Sequence, residues 1–253
     1  MQAYIKLFVA ALSLSCALTG CGPKPLHVTR IETSFLAVDS TLDAIQDSAY
    51  LAELAPKKAR IEELSSVVIG HVPEQMDAYT PESPLLNWAA DALFFPIRAK
   101  RGDGVDFAIV NVGGLRCSWS AGDLTIRSVF ELMPFENEVV ILSLRGKEVL
   151  HLAEQIAAQG GQGVSGLTLE IADGKPENVL VQGQTVDPER VYHVVTSDYL
   201  SGGADGMDAL HNYEAREMTG IVIREQYIDY AKTLTQNGQP IQAVCDGRVV
   251  IKN

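Results

Sequence analysis

The sequence predicts a single α+β domain, a mixed β-sheet with packed helices. The chain has 253 residues, of which 47% are hydrophobic and 21% charged, the balance of a globular domain with a sizeable core. Helical and strand-like segments are interleaved without the strict repetition of a parallel βαβ fold. No internal repeat or long linker divides the chain.

Apolar residues at helical spacing predict five helices, at residues 38–54, 56–64, 83–95, 147–159 and 218–234. Asp39 or Ser40 is expected to cap the first helix, and Gly160-Gly161 to end the fourth. Apolar and β-branched runs predict strands at 65–70, 105–110, 139–144, 167–171, 178–181 and 192–196. Residues 241–244 and 248–251, joined by Asp246-Gly247, are expected to form a closing hairpin.

The N-terminus is typical of a bacterial lipoprotein signal peptide. Lys6 precedes an apolar run over residues 7–18, which is too short for a stable membrane span. The run ends in Leu-Thr-Gly before Cys21, and this resembles the lipobox in which the Cys is lipidated. An ordinary secretory cleavage near Ala17 is the alternative.

This N-terminus predicts the organisation of the chain. We expect a signal peptide at 1–20, a tether at 21–35 and one domain at 36–253, with Cys21 carrying the lipid. The protein would be held on the membrane of a bacterial cell envelope, facing the periplasm or the cell surface, because several acyl chains give stable anchoring.

The formal charge of −12 excludes a general nucleic-acid binder, because the body of the protein would repel phosphates. A small anionic ligand would need a pocket in which Arg residues reverse the local sign. After loss of the signal and lipidation, Cys117 and Cys245 would remain. Two interpretations remain: the two Cys form a disulfide with each other, or they stay as two separate thiols.

Common catalytic and cofactor motifs do not explain the chain. Residues 161–166 match G-x-G-x-x-G, but a helix is expected before the motif and a strand after it, the reverse of a dinucleotide-binding unit. Patterns of the G-x-S-x-G, H-E-x-x-H and Walker A types do not occur, and the five His lack metal-ligand spacing.

Three loops at the ends of predicted strands combine residue types suited to a ligand. They have the sequences NVGGLR (111–116), MPFEN (133–137) and SDYLSGGADG (197–206). Together they supply aromatic rings, side-chain amides, an acid and an Arg. Such a set can stack a base and hold polar groups around it.

These loops, in this order and after the helical segment ESPLLNWAADA (82–92), resemble the C-terminal domain of the 5′-nucleotidase family. The resemblance covers about residues 36–252. It implies a domain that binds the base and ribose of a nucleotide and presents the phosphate to a metallophosphatase domain. One departure is the run at 202–206, which is one residue longer than the family's G-G-D-G.

The resemblance also implies roles for individual residues. Phe135 and Tyr199 would sandwich the base, with Tyr199 standing where the family commonly has Phe. Asn137 would reach the base edge, Gly166 would line the base pocket through its backbone, and Asp205 would hold the ribose hydroxyls.

The phosphate, by the same resemblance, would face Asn111 and Arg116, with Arg98 as a further contact. The D-x-H, G-N-H and G-H-x-H patterns of the family's metallophosphatase half do not occur in the sequence. The resemblance therefore implies a split hydrolase. This chain would recognise the nucleotide without a cofactor of its own, and a separately encoded metallophosphatase would carry divalent metal ions.

Whether this chain is itself an enzyme stays open at this point. Two alternatives to a split enzyme remain. The first is a lipid-anchored protein that binds nucleosides or nucleotides without catalysis, and the second is a structural remnant.

Overall fold

The computed structural model describes residues 28–42 and 47–252, except for the side chain of Asp103. The chain divides into two units, residues 1–51 and 52–253. In the first unit, residues 28–42 are exposed and end in a 3₁₀ turn, Ser40–Leu42. The predicted signal peptide and Cys21 lie outside the described residues.

Five α-helices are formed by the described residues. They are α1 (Ser48–Ser65), α2 (Pro84–Arg101), α3 (Ile126–Leu132), α4 (Gly146–Ala158) and α5 (Ile223–Gln236). The start of α2 shows why the sequence folds this way. The Ser83 hydroxyl accepts the Leu86 N–H at 3.4 Å, and Pro84 occupies the first turn, where its missing N–H costs no helical bond.

The five strands of the central sheet are β2 (Phe107–Val110), β4 (Glu138–Arg145), β5 (Gly163–Ser165), β9 (Val191–Ser197) and β10 (Ala215–Val222). Their order in the sheet is β10-β4-β9-β2-β5. Strands β2 and β9 run parallel, and the other neighbours are antiparallel. The sheet is therefore mixed, as the sequence predicts.

Two smaller sheets accompany the central sheet in the described part of the chain. Strand β1 (Val68–Val72) pairs antiparallel with β3 (Gly122–Thr125). The second sheet has the order β11-β6-β7-β8, with bounds β6 (Leu167–Ala172), β7 (Lys175–Val181), β8 (Gln184–Thr185) and β11 (Val249–Ile251). Strand β11 is parallel to β6.

Within residues 47–252 the core has two apolar clusters, one on each face of the central sheet. Side chains alternate along each strand: Ala108 and Val110 pack with residues of α2 and α5, whereas Phe107 and Ile109 pack with residues of α4. On the first face, Trp88 contacts the ring of Tyr227 at 5.5 Å between centroids. This arrangement confirms a single α+β domain, with helices on both faces of a mixed sheet.

Several element boundaries differ from the sequence-based expectation. Asp47, not Asp39 or Ser40, caps α1 by accepting the N–H groups of Ala49 and Tyr50 at 3.0 Å. Helix α1 then continues through Pro56 rather than restarting there. Helix α2 likewise passes Pro96 and ends before Gly102, whose φ of 65° stops it. Residues 43–46 of the predicted first helix are not described.

The predicted helix at 218–234 is wrong in its first five residues. Residues 218–222 form the end of β10, where Met218 pairs with Val140 and Val222 with Glu138. The β-branched residues in this segment favour a strand, and Gly220 at φ 71° accommodates the register shift. Helix α3 at 126–132 was not expected from the sequence.

The predicted C-terminal hairpin is also wrong. Only residues 249–251 form a strand, and they pair with β6. The backbone of the preceding segment bonds to side chains instead: Glu82 accepts the Asp246 N–H at 2.8 Å, and Asn87 donates to the Val244 carbonyl at 2.8 Å. These bonds satisfy the groups that a hairpin ladder would have used.

The structure also answers the cysteine question left open by the sequence. Cys117 and Cys245 are free thiols, the first partly buried and the second exposed. Burial raises the pKa of the Cys117 thiol. Within the described ranges, no helix combines the length and apolar character needed to cross a membrane.

Candidate functional site

The three loops chosen from the sequence line one cavity of about 300 Å³. Strands β2 and β9 are parallel, so their carboxyl ends lie at the same edge of the sheet, and the first and third loops start there. Strand β4 is antiparallel to β9, with Val139 opposite Ser197. Its amino end therefore brings the second loop to the same edge.

Six of the eight predicted substrate-binding residues line this cavity. They are Asn111, Arg116, Phe135, Asn137, Tyr199 and Asp205. Apolar side chains complete the lining, among them Ile109, Leu115, Met133, Ile223 and Tyr227. The cavity thus combines an apolar lining with a few convergent polar groups, which is the usual composition of a small-molecule site.

The first loop turns tightly after β2. A 3₁₀ turn covers Val112–Gly114, and a Cβ on Gly114 would lie 2.8 Å from the Asn111 Oδ1 atom. Glycine at 114 thus lets the Asn111 side chain fold over the turn. Arg116 donates to the Gly113 carbonyl at 3.1 Å, a bond that uses one of the five N–H donors of its guanidinium.

Asp205 is the polar centre of the third loop. Its backbone is left-handed, with φ 54°, a conformation that Asp tolerates better than most residues. Its Oδ1 accepts the Tyr199 hydroxyl at 2.7 Å, and its Oδ2 accepts the Asn111 amide N–H at 2.6 Å. The hydrogen bond to the Asp205 carboxylate and the repulsion by its charge both raise the pKa of Tyr199. Tyr199 is therefore held as a neutral donor.

The second loop is fixed by a buried cation that sequence reasoning missed. Arg224, in the first turn of α5, is 7% exposed. It donates to the Phe135 carbonyl and to the Glu136 carboxylate, both at 3.1 Å. Its guanidinium lies 4.1 Å from the centroid of the Phe130 ring. Arg224 therefore fixes the backbone that carries Phe135, and no local motif links two residues so far apart in sequence.

Two aromatic rings are presented to solvent at the cavity. Phe135 is 42% exposed and Tyr199 is 48% exposed. The ring contacts among the described residues do not include one between Phe135 and Tyr199. Two rings must be apart in this way for a planar group to enter between them. Asn137 donates to the Asp198 carboxylate at 2.9 Å, which ties the second loop to the third.

Two further residues, which sequence reasoning did not select, connect the first and third loops. Gln162, 5% exposed, accepts the Val112 N–H at 2.8 Å and donates to the Gln159 side chain at 2.7 Å. Gln159 in turn donates to the Asp205 carbonyl at 2.9 Å. Both Gln flank the Gly160-Gly161 break, and polar residues at such a break were the signal available in the sequence.

Gly166 and Arg98 are not among the residues that line the cavity, and the ligand contacts expected of them stay predictions. Strand β5 is antiparallel to β2, with Gly163 opposite Val110 at the cavity edge. Gly166 follows the other end of β5 and lies beside Phe94, in a separate depression. Arg98 is one helical turn from Phe94, and its guanidinium lies 5.3 Å from the centre of that ring.

The described residues form no candidate metal centre. Across residues 28–42 and 47–252, His, Cys, Asp and Glu side chains form no group of three or more that could hold a metal ion. The polar side chains that line the cavity carry two amides, one carboxylate, one guanidinium and three hydroxyls, and the guanidinium suits an organic anion.

Comparison with known proteins assigns the fold to a family. The sequence model described as "5′-nucleotidase, C-terminal domain" matches residues 68–212, more than half of the 253-residue chain. The chain belongs to the 5′-nucleotidase C-terminal domain family. The matched region contains all three cavity loops, and this confirms the resemblance carried by their motifs.

Relatives of this 5′-nucleotidase C-terminal domain agree with the assignment. A 5′-nucleotidase of Vibrio cholerae is 27% identical over 198 residues, covering 76% of this chain and 36% of its own. Protein UshA of Escherichia coli is 31% identical over 127 residues, covering 48% of this chain and 23% of its own.

Solved structures show the same relationship. The 5′-nucleotidase precursor of Thermus thermophilus superposes with a TM-score of 0.69 at 29% identity, covering 81% of this chain and 42% of its own. The chain therefore spans less than half the length of these relatives.

Proposed function

We propose that this chain recognises a nucleotide for 5′-nucleotidase chemistry, the hydrolysis of a nucleoside 5′-phosphate ester. The observation that carries the proposal is the cavity itself. Two exposed aromatic rings, a carboxylate and an Arg converge there, in a chain of the 5′-nucleotidase C-terminal domain family. Rings suit a base, a carboxylate suits sugar hydroxyls, and a guanidinium suits a phosphate.

The proposed roles follow from the positions of these groups. The base stacks between Phe135 and Tyr199, and Asn137 lies within the same cavity to read the base edge. Asp205 accepts hydrogen bonds from the ribose hydroxyls. Arg116 faces the phosphate, and Asn111 acts mainly by holding Asp205, because its amide N–H is already bonded to that carboxylate.

We further propose that the phosphate is presented to a separately encoded metallophosphatase. We assign the divalent metal ions to this proposed partner and no catalytic step to this chain; among the described residues, no group of three or more His, Cys, Asp or Glu side chains could hold a metal ion. The groups nearest the phosphate would supply binding and charge stabilisation only.

A location in the cell envelope or outside the cell is supported by the family and by the N-terminal sequence. Anchoring through lipid on Cys21 is a proposal that rests on the lipobox-like sequence alone. Mass spectrometry of the mature N-terminus tests it directly, since a diacylated Cys21 and an unmodified residue near position 18 differ by hundreds of daltons.

Calorimetric titration of the purified protein with AMP, adenosine and UDP-glucose tests the proposed recognition. Stacking on an aromatic contributes about 0.5–1.5 kcal/mol per pair beyond buried area, so loss of both rings in a Phe135→Ala, Tyr199→Ala double variant should weaken binding by about 5- to 150-fold. The matched control is Phe95→Ala, an exposed ring in the separate depression. Equal affinity of the double variant and this control contradicts the cavity assignment.

A phosphate-release assay tests the split enzyme. The protein is mixed with the candidate metallophosphatase and Mn²⁺, Co²⁺ or Zn²⁺, and each component is assayed alone. The proposal predicts release by the mixture. Nucleotide binding without release in any mixture would favour the alternative, a protein that binds nucleosides or nucleotides without catalysis.

A further inference from the structure

The hydrogen bonds around Asp205 close into a ring. Starting from Val112, the ring passes through Gln162 and Gln159 to the Asp205 carbonyl. It returns from the Asp205 carboxylate to the Asn111 side chain at 2.6 Å, and Asn111 is bonded to Val112 in the backbone. This Gln159–Gln162 relay joins the end of α4 to two of the three cavity loops.

The direction of every bond in the relay is fixed by its ends. The Val112 N–H can only donate, so Gln162 must present its oxygen there and its NH₂ to Gln159. Gln159 must then accept with its oxygen and donate with its NH₂. The Asp205 carbonyl can only accept, and it closes the relay at 2.9 Å. Neither amide can flip without placing like groups against each other.

The relay holds a residue whose conformation needs support. Asp205 has a left-handed backbone at φ 54°, which costs a non-glycine residue free energy and persists only where surrounding contacts determine it. The relay bonds the backbone of Asp205, whereas Tyr199 and Asn111 bond its carboxylate. Each carboxylate oxygen then keeps a second lone pair for an incoming hydroxyl.

We propose that Gln159 and Gln162 are positioning residues that aim the Asp205 carboxylate at a vicinal diol of the ligand. They touch neither the diol nor the phosphate; they act through Asp205. The inference rests on the proposed function, because it takes the ligand to be a ribonucleotide. It assigns to this relay the preference for ribose over 2′-deoxyribose.

The test compares affinities for AMP and UMP with those for their 2′-deoxy counterparts, using the full chain. A hydrogen bond to a charged group is worth about tenfold or more in affinity, so the wild type should prefer the ribonucleotide by about that factor. Gln162→Met keeps the length of the side chain and removes its amide. It should lower the preference to below about threefold, with little change in affinity for the 2′-deoxy nucleotide.

A second variant and a control keep the outcome clear. Gln159→Met breaks the same relay at an exposed position and should give the same loss, even if Gln162→Met fails to fold. Gln155→Met is the control: Gln155 lies in the last turn of α4, four residues before Gln159, and accepts the Ala209 N–H at 3.2 Å, outside the relay. It should keep the wild-type preference.

The outcomes separate this inference from the proposed function. An unchanged ratio of ribonucleotide to 2′-deoxynucleotide affinity in Gln159→Met would overturn the positioning role and leave nucleotide recognition standing. This holds whether both affinities fall equally or neither falls. Absence of binding of every nucleotide to the wild type would overturn the proposed function, and the relay's role with it.

Discussion

Replacement of Arg224 by Met should loosen the second cavity loop. Met keeps the apolar stem and removes the guanidinium, which donates to the Phe135 carbonyl at 3.1 Å and stacks on Phe130 at 4.1 Å. A hydrogen bond from a charged donor contributes about 1.5–3 kcal/mol, and a partly desolvated cation–π contact contributes about 1–2 kcal/mol. The ion pair with Glu136 adds little, because that carboxylate is 82% exposed.

One contribution to the free energy of unfolding acts in the opposite direction. The Arg224 Nε atom is buried with no hydrogen-bond partner, and an unsatisfied buried donor costs about 1–3 kcal/mol. Removal of the guanidinium relieves that cost. The net loss in the free energy of unfolding is therefore expected at about 1–3 kcal/mol, together with weaker nucleotide binding, because Phe135 is no longer held.

Denaturant unfolding followed by tryptophan fluorescence measures the stability change, and calorimetry measures the affinity. Arg101→Met is the control, since Arg101 pairs with Glu217 on the surface, and such exposed pairs contribute about 0–1 kcal/mol. An Arg224→Met protein with the unfolding midpoint and affinity of the wild type would refute the assignment of Arg224 as the anchor of the loop.

Two further changes test the packing and the site. Gly146→Ala should destabilise the fold by about 1–3 kcal/mol or more, because the added Cβ would lie 1.9 Å from the Asp187 carbonyl oxygen. The control is Gly202→Ala, whose added Cβ meets open space, and this variant should unfold at nearly the wild-type denaturant concentration. Because the pKa of Tyr199 is raised by its hydrogen bond to Asp205, nucleotide affinity should fall at a more alkaline pH than an ordinary tyrosine hydroxyl would give, as tyrosinate forms and that hydrogen bond is lost. Tyr199→Phe should lack this alkaline loss, and an identical pH profile in both proteins would contradict the role of the hydroxyl.

Sequence patterns predicted what depends on neighbours in the chain. The strand ends and the loops that follow them were found from apolar runs and Gly-rich turns, because both signals are local. The family motifs then selected six residues that the fold brings to one cavity. Boundaries failed at Pro56 and Pro96, because both helices continue through the Pro despite its missing N–H. In α2 the buried face, which includes Ile97 beyond Pro96, offsets that cost. Helix α1 has no buried residue, and nothing in its packing explains why it continues through Pro56.

Interactions between distant segments were not predictable in this way. The segment before β11 looks like half of a hairpin, yet the side chains of Glu82 and Asn87 take its backbone bonds. Gly166 follows a typical motif, but the antiparallel direction of β5 sends it to the far edge of the sheet. Sequence patterns do not fix strand direction, so they could not place this residue.

The order of strands in the central sheet has a consequence for how the cavity comes into being. Its loops follow β2 and β9 and precede β4, and β9 lies between the other two. Pairing of segments so distant along the chain is slow, since the entropy of closing long loops is lost before the contacts form. The cavity cannot exist until these strands are joined. A ligand bound there therefore stabilises the assembled sheet as a whole by mass action, and amide exchange in β9 would report its occupancy.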